Sequence, residues 1–339
     1  MVAQASACGL WSPLMKTRVA IIYGGRSGEH EISLISAEAV IAALDPERYS
    51  VSRYKIGKTG HWDPRPITPE PGATPDIDVV FPVLHGTFGE DGTMQGLFEL
   101  ADLPYVGANV LASAASMDKD AMKRLCRDRG LPIVEYKVVS RADVEADTVT
   151  CEFPFPMFVK PANLGSSVGI SKAHNCAEMK TALKTAALYD RKILIERGIE
   201  GREFECAVLG NDNPEASFPC EIVPSREFYD YEDKYELNQA RAILPPDLPR
   251  NEIYEMRRLA VECYKAVGCE GMGRVDFLRE TSTARLYVNE INTVPGFTPI
   301  SMFPKMWEYS GIPYSELIDR LIALALERHA AKKATRFTR

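Results

Sequence analysis

Arg274, Asp276, Glu290 and Asn292 are the residues of this 339-residue chain whose types and spacing most directly imply chemistry. They lie in two short segments, Gly-Arg274-Val-Asp276-Phe-Leu and Val-Asn-Glu290-Ile-Asn292-Thr, that both read as strands. If the chain between them turns about Thr283, antiparallel pairing sets Asp276 opposite Glu290 and Arg274 opposite Asn292, all on one face, because strand side chains alternate. Two carboxylates facing across a ladder repel each other unless a cation separates them, and an all-oxygen set of Asp, Glu and Asn suits Mg²⁺ rather than zinc. Arg274 adds a phosphate-binding element, since Mg²⁺ is usually held by one or two carboxylates plus phosphates and a guanidinium can grip an oxyanion through two parallel bonds. The alternative is a solvated hairpin with surface charges.

The elements that would position this hairpin belong to a globular chain. Hydrophobic residues make up 45% of the sequence, enough for two or three domains with their own cores. The net charge of −7 offers no basic stripe for a nucleic-acid backbone, so small-molecule substrates are expected and nucleic acid and membrane are not. No apolar run approaches the roughly twenty residues that span a bilayer. Residues 1–16 read as a disordered extension without signal-peptide character, and Met15 opens a more natural first strand. The eight cysteines show no Cys-x-x-Cys pair, which fits reduced, mostly buried thiols and a cytoplasmic location.

The first third alternates strand, glycine loop and helix: strand 18–23, loop 24–28, helix 29–44, strand 78–84, then His85-Gly-Thr-Phe-Gly-Glu90-Asp-Gly and a helix from Thr93. Such units build a parallel sheet whose ligands sit at the carboxyl ends of its strands, where Glu29 and His85 fall. A helix opens at Met-Asp-Lys119, and a strand ending in Lys160 leads through Gly165-Ser166-Ser167-Val-Gly169 to a returning strand at 170–172. That turn can aim backbone N–H groups and hydroxyls at a phosphate, but it lacks the Gly-Lys-Ser/Thr ending of a P-loop. A strand from Lys192 to Glu196, a connector and a strand carrying Glu203 follow, and residues 225–248 are polar, Tyr-rich and aperiodic, as a closing loop would be.

Taken in order, Gly-Gly-Arg-Ser-Gly-Glu29-His-Glu, His85-Gly-x-x-Gly-Glu-Asp-Gly, Met-Asp-Lys119, Val-Lys160-Pro with Gly-Ser166-Ser-Val-Gly, Glu196 with Glu203-Phe, the lid segment through Lys234-Tyr235, Gly-Arg274-Val-Asp276 and Asn-Glu290-Ile-Asn292-Thr-x-Pro-Gly296 resemble the D-alanine–D-alanine ligases of the ATP-grasp superfamily. The resemblance is collinear from about residue 17 onward. It implies an α/β, three-domain ATP-grasp fold with an N-terminal parallel-sheet (preATP-grasp) domain at 17–108, a central subdomain at 109–196 and a C-terminal subdomain at 197–339 with a lid at 225–248.

The resemblance also implies roles. Lys119, Lys160, Ser166, Ser167 and Lys234 would face the phosphates of ATP, Glu196 and the backbone of Arg197 and Ile199 the adenine, and Glu203 the ribose. Asp276, Glu290 and Asn292 would hold two Mg²⁺, with Mn²⁺ able to substitute. Glu29 and His85 would meet the first D-alanine, Ser301 and Met302 the second, with Lys234 and Tyr235 over both, while Arg274 and the Gly296 N–H would stabilise the tetrahedral intermediate. Ser166, Glu29 and Tyr235 would link the lid to the N-terminal domain. Position 197 is Arg where many relatives have Lys, and a mainly backbone contact there predicts little consequence. The lid and Met302 favour dipeptide formation over joining D-alanine to D-lactate or D-serine, and a catalytically silent nucleotide-binding module is the reading from another class. A homodimer is expected by the same resemblance.

Overall fold

The computed structural model describes residues 15–224 and 241–337, so the expectations for residues 1–14, Lys234 and Tyr235 lie outside the described residues. The first stretch forms β1 (Thr17–Gly24), α1 (His30–Ala43), β2 (Tyr49–Ile56), β3 (Trp62–Asp63), β4 (Val79–Val83) and α2 (Thr93–Leu100). Its sheet runs β3-β2-β1-β4, with β1 parallel to both β2 and β4. The apolar runs of β1 and β4 reflect burial on both faces: Val19, Ile21, Phe81 and Val83 enter one core and Ala20, Ile22 and Val80 another. Strand β2 escaped the sequence reading because polar and apolar residues mix along it, with only Tyr49, Tyr54 and Ile56 buried.

The second stretch forms α3 (Val110–Met117), α4 (Lys119–Asp128), β5 (Tyr136–Ser140), α5 (Arg141–Glu145), β6 (Met157–Pro161), β7 (Ser171–Ala173), α6 (Cys176–Tyr189) and β8 (Lys192–Arg197). These strands pair antiparallel in the order β5-β8-β6-β7, and α6 covers the sheet with Met179, Ala182, Leu183 and Ala186. The Asp118 carboxylate accepts from the N–H groups of Asp120 and Ala121 at 3.1 Å and so caps α4, which fixes Lys119 as its first residue.

The third stretch forms β9 (Gly201–Gly210), β10 (Glu215–Ala216), β11 (Cys220–Val223), β12 (Arg241–Ile243), α7 (Arg250–Ala266), β13 (Gly271–Glu280), β14 (Leu286–Asn292), α8 (Met302–Tyr309) and α9 (Tyr314–Lys333). Its sheet runs β12-β11-β9-β13-β14, with β10 on β9. One feature revises the sequence reading. Residues 241–243, counted there with the aperiodic loop, form an edge strand pairing Arg241 with Val223. Of the described cysteines, Cys126, Cys206, Cys220, Cys263 and Cys269 are buried, but Cys151 and Cys176 are exposed and face each other at 2.9 Å.

The cores tie the stretches together. Met122 and Cys126 of α4 pack with Phe204, Phe277 and Tyr264 of the third stretch, and α8 and α9 pack against the first sheet through Phe303, Trp307 and Leu321. Among the described residues no helix is long and apolar enough to cross a membrane.

Candidate active site

Strands β13 and β14 pair Arg274 with Asn292 and Asp276 with Glu290, the register that the two carboxylates imply. A bulge after Asp276 then shifts the ladder, so that Phe277 faces Val288 and the turn closes with Glu280 N–H on Arg285 O at 2.9 Å. Strand β9 lies on the other side of β13 and sets Glu205 opposite Asp276, making a row of three carboxylates across three strands. Sequence reading missed Glu205, although its place two residues after Glu203 puts it on the same strand face. Arg274 answers this charge. Its Nε and Nη2 donate to the two Asp276 oxygens at 2.7 Å each, and its Nε lies 3.4 Å from Glu205 Oε1. Burial works against the guanidinium's charge, but Asp276, Glu205 and Glu290 raise its pKa well above the usual value. Asn292 Nδ2 donates to Asp276 Oδ2 at 3.0 Å.

Helix α4 and the second sheet supply cations. Lys119 Nζ donates to Leu164 O at 2.6 Å and lies 3.5 Å from Glu290 Oε2, so one ammonium touches both the glycine-rich turn and the carboxylate row. Lys160 Nζ donates to Glu196 Oε2 at 2.7 Å and lies 3.4 Å from Asn289 Oδ1. Glu196 is buried; desolvation raises its pKa, but Lys123 and Lys160 outweigh that and hold it at about 2. Lys123 is a further residue the sequence reading did not single out. Between the two sheets lies a cavity of about 360 Å³, the size of a small-molecule site, lined by Lys119, Lys160, Ser167, Glu196, Arg197, Ile199, Glu203, Asp276 and Glu290 among others.

The Arg197 side chain makes contacts of its own, apart from any backbone contact with a ligand. Its side chain reaches Glu135 at 2.8 Å, Glu280 at 3.0 Å and the Tyr287 hydroxyl at 3.1 Å, bridging β8 to the far end of the β13–β14 hairpin. Three separate guanidinium nitrogens reach the three partners, a spread that a lysine's single nitrogen does not have.

A second cluster gathers at the carboxyl ends of β1 and β4. The Ser166 hydroxyl donates to Glu29 Oε1, joining the glycine-rich turn to the first sheet. Ser166 and Ser167 hold φ of 51° and 60°, the left-handed region in which a turn can present successive N–H groups to an anion. Gly86 at φ 73° lies against Glu29, whose Oε2 would stand 2.7 Å from any Cβ placed there. Glu90 accepts from Gly86 N–H at 3.0 Å, and burial beside Glu29 pushes its pKa well above the carboxylate range. His85 is buried, with Nδ1 3.1 Å from Val294 O and Nε2 3.3 Å from Ser36 Oγ, and burial lowers its pKa below the usual imidazole value. Ser301 precedes α8, and its Oγ accepts from Thr298 N–H at 3.0 Å; it stands so close to Gly296 that a Cβ there would meet it at 2.8 Å. Met302 is half-buried and packs at the edge of a core, with its sulfur 3.8 Å from Cys220 Sγ.

The donor set fits Mg²⁺: two carboxylates and an amide oxygen, all hard ligands, with no sulfur or imidazole among them. Among the described residues no group of three or more His, Cys, Asp and Glu is arranged to hold a metal, so Asn292 and phosphate oxygens would have to complete the coordination.

Two antiparallel sheets on either side of a cavity, with Lys160 from one, Lys119 from the helix beside it and a carboxylate row from the other, have the arrangement of an ATP-grasp ligase. Comparison with known proteins narrows the class. The family models described as D-ala D-ala ligase N-terminus and C-terminus match residues 18–74 and 64–108, and 125–323, respectively. The chain is 65% identical over 325 residues to a D-alanine–D-alanine ligase of Solibacter usitatus, covering 96% of this chain and 100% of that one. Among solved structures it resembles the D-alanine-D-alanine ligase of Coxiella burnetii, with a TM-score of 0.82, 38% identity and 94% and 96% of the two chains covered. A D-Ala:D-Ser ligase of Enterococcus faecalis matches with a TM-score of 0.84 and 33% identity over 92% of this chain and 100% of that one. The chain belongs to the D-alanine–D-alanine ligase family and is an ATP-dependent ligase.

Proposed function

We propose that the chain joins two D-alanine molecules into D-alanyl-D-alanine for peptidoglycan synthesis, with ATP in the cavity between the second and third sheets. The observation that carries the reading is the carboxylate pair Asp276 and Glu290 on the wall of a cavity that also holds Lys119 and Lys160. A carboxylate oxygen of the first D-alanine attacks the γ-phosphorus, the bond to ADP breaks, and an acyl phosphate forms. The amine of the second D-alanine attacks the acyl carbon; the tetrahedral adduct loses phosphate and the amine gives up a proton. Charge grows on oxygen in both steps, so the protein works by position and electrostatics.

Lys119, Lys160, Lys234, Ser166 and Ser167 hold the phosphates; Glu196, Arg197 and Ile199 receive adenine and Glu203 the ribose. Glu29 and His85 bind the first D-alanine, and Ser301, Met302, Lys234 and Tyr235 complete the substrate sites. Arg274 and the Gly296 N–H stabilise the tetrahedral adduct. Asp276, Glu290 and Asn292 would hold Mg²⁺, two ions in all, which would screen the phosphate charge and polarise the transferred phosphoryl group. The preATP-grasp, central and C-terminal divisions at 17–108, 109–196 and 197–339 find support in three sheets that fall in successive stretches of chain. A cytoplasmic homodimer completes the reading, on family membership alone.

Glu290→Gln tests it. Loss of one ligand charge should reduce Mg²⁺-dependent phosphate release from ATP by at least a hundredfold while the protein stays folded, and release within threefold of the parent contradicts the metal assignment.

A further inference from the structure

Lys123 lies one turn after Lys119 on α4, and its side chain is 1% exposed, behind the cavity wall rather than on it. Its ammonium forms an ion pair with Glu196 Oε1 at 3.2 Å and stands 5.7 Å from the centre of the Tyr136 ring; neither charged atom meets hydrogen-bond geometry with any group among the described residues, so the pair is held by charge. Glu196 therefore has a lysine on each oxygen: Lys123 from α4 on Oε1 and Lys160 from β6 on Oε2. The two lysines are not equivalent. Lys160 lines the cavity and reaches toward Asn289, next to Glu290, whereas Lys123 is sealed in by protein.

A buried carboxylate stripped of its counter-ion is strongly destabilising. With Lys160 as its only partner, Glu196 would detain that lysine, because each move toward a phosphate would strand a buried negative charge. A second lysine that never leaves removes this penalty. We propose that Lys123 is a positioning residue of the nucleotide site: it is the standing counter-ion of Glu196, so that Lys160 can pass from Glu196 to a phosphate oxygen of ATP while Glu196 stays ionised and in place. This rests on the reading of the cavity as the ATP site. Burial lowers the pKa of the Lys123 ammonium and Glu196 works against that, so each group supports the other's charge.

The test compares the parent enzyme with Lys123→Met, Glu196→Gln and the double variant, reading the KM for ATP, the KM for D-alanine, kcat, and ADP–Mg²⁺ binding by calorimetry. Lys123→Met should raise the ATP KM and weaken ADP binding by at least tenfold while the D-alanine KM stays within twofold. In the Glu196→Gln background the neutral amide needs no counter-ion, so adding Lys123→Met should change the ATP KM less than threefold. An ATP KM that Lys123→Met leaves within twofold, or a loss shared equally by both substrates, overturns the proposal. So does a change of threefold or more in the Glu196→Gln background; if Lys123→Met alone does not fold, that comparison decides by itself. Absence of ADP–Mg²⁺ binding in the parent enzyme would instead overturn the assignment of the cavity.

Discussion

Replacing Ser166 by Ala removes one hydrogen-bond donor, and its effect can be worked from the geometry. The Ser166 hydroxyl donates to Glu29 Oε1, so the glycine-rich turn of the second sheet is tied to the first sheet through a charged acceptor. Hydrogen bonds to charged groups contribute about 1.5–3 kcal/mol, and each 1.36 kcal/mol is tenfold, which gives about a ten- to hundred-and-fifty-fold loss of kcat/KM for D-alanine if the link is needed at the transition state. In the proposed site Ser166 also faces the phosphates, but Ser167, the lysines and the carboxylates stay in the nucleotide cavity, so the ATP KM should rise less than kcat/KM for D-alanine falls. Because Ser166 sits at φ 51°, Ser166→Gly serves as a companion that removes the same hydroxyl and relaxes the backbone. Steady-state kinetics with each substrate varied in turn is the assay. An unchanged kcat/KM for D-alanine in both variants, or a loss confined to ATP, would refute the reasoning.

Two further predictions concern charge and sulfur. Glu196 has a pKa depressed to about 2, so its ionic contribution to stability is complete above the ordinary carboxylate range near 4.5 and is lost as pH falls from there toward 2. Glu196→Gln should therefore flatten the acid limb of a melting-temperature profile below pH 4.5, and an acid limb parallel to the parent's would count against the triad. Cys151 and Cys176, exposed and 2.9 Å apart, should lose both thiols to stoichiometric hydrogen peroxide, forming one disulfide and two waters with a mass decrease of about 2 Da. Cys151→Ser should abolish that mass change, and its persistence would assign the oxidation elsewhere.

What was legible in the sequence was whatever short-range pattern encodes. Buried apolar runs announced β1 and β4, and two carboxylates with an Arg and an Asn at matching offsets announced the hairpin register of Asp276 and Glu290. The bulge after Asp276 was not legible, because one extra residue in a ladder leaves the polar pattern before it untouched. Lys123 and Glu196 are 73 positions apart and meet only when α4 packs behind β8, so nothing local marks either lysine or carboxylate as half of a pair. Arg197 shows the same limit: its backbone position in the connector was readable, but its side-chain partners Glu135, Glu280 and Tyr287 come from distant segments. Met302 and Ser301 are adjacent in sequence, and only the start of α8 sets one against the edge of a core and the other beside Gly296.

The most direct test of the account is phosphate release from ATP with D-alanine alone, with and without Mg²⁺, and the product identified by mass. The account predicts Mg²⁺-dependent release matched by D-alanyl-D-alanine. Release that requires D-lactate or D-serine beside D-alanine would contradict the second-substrate assignment, and no release with any pair would contradict the ligase itself.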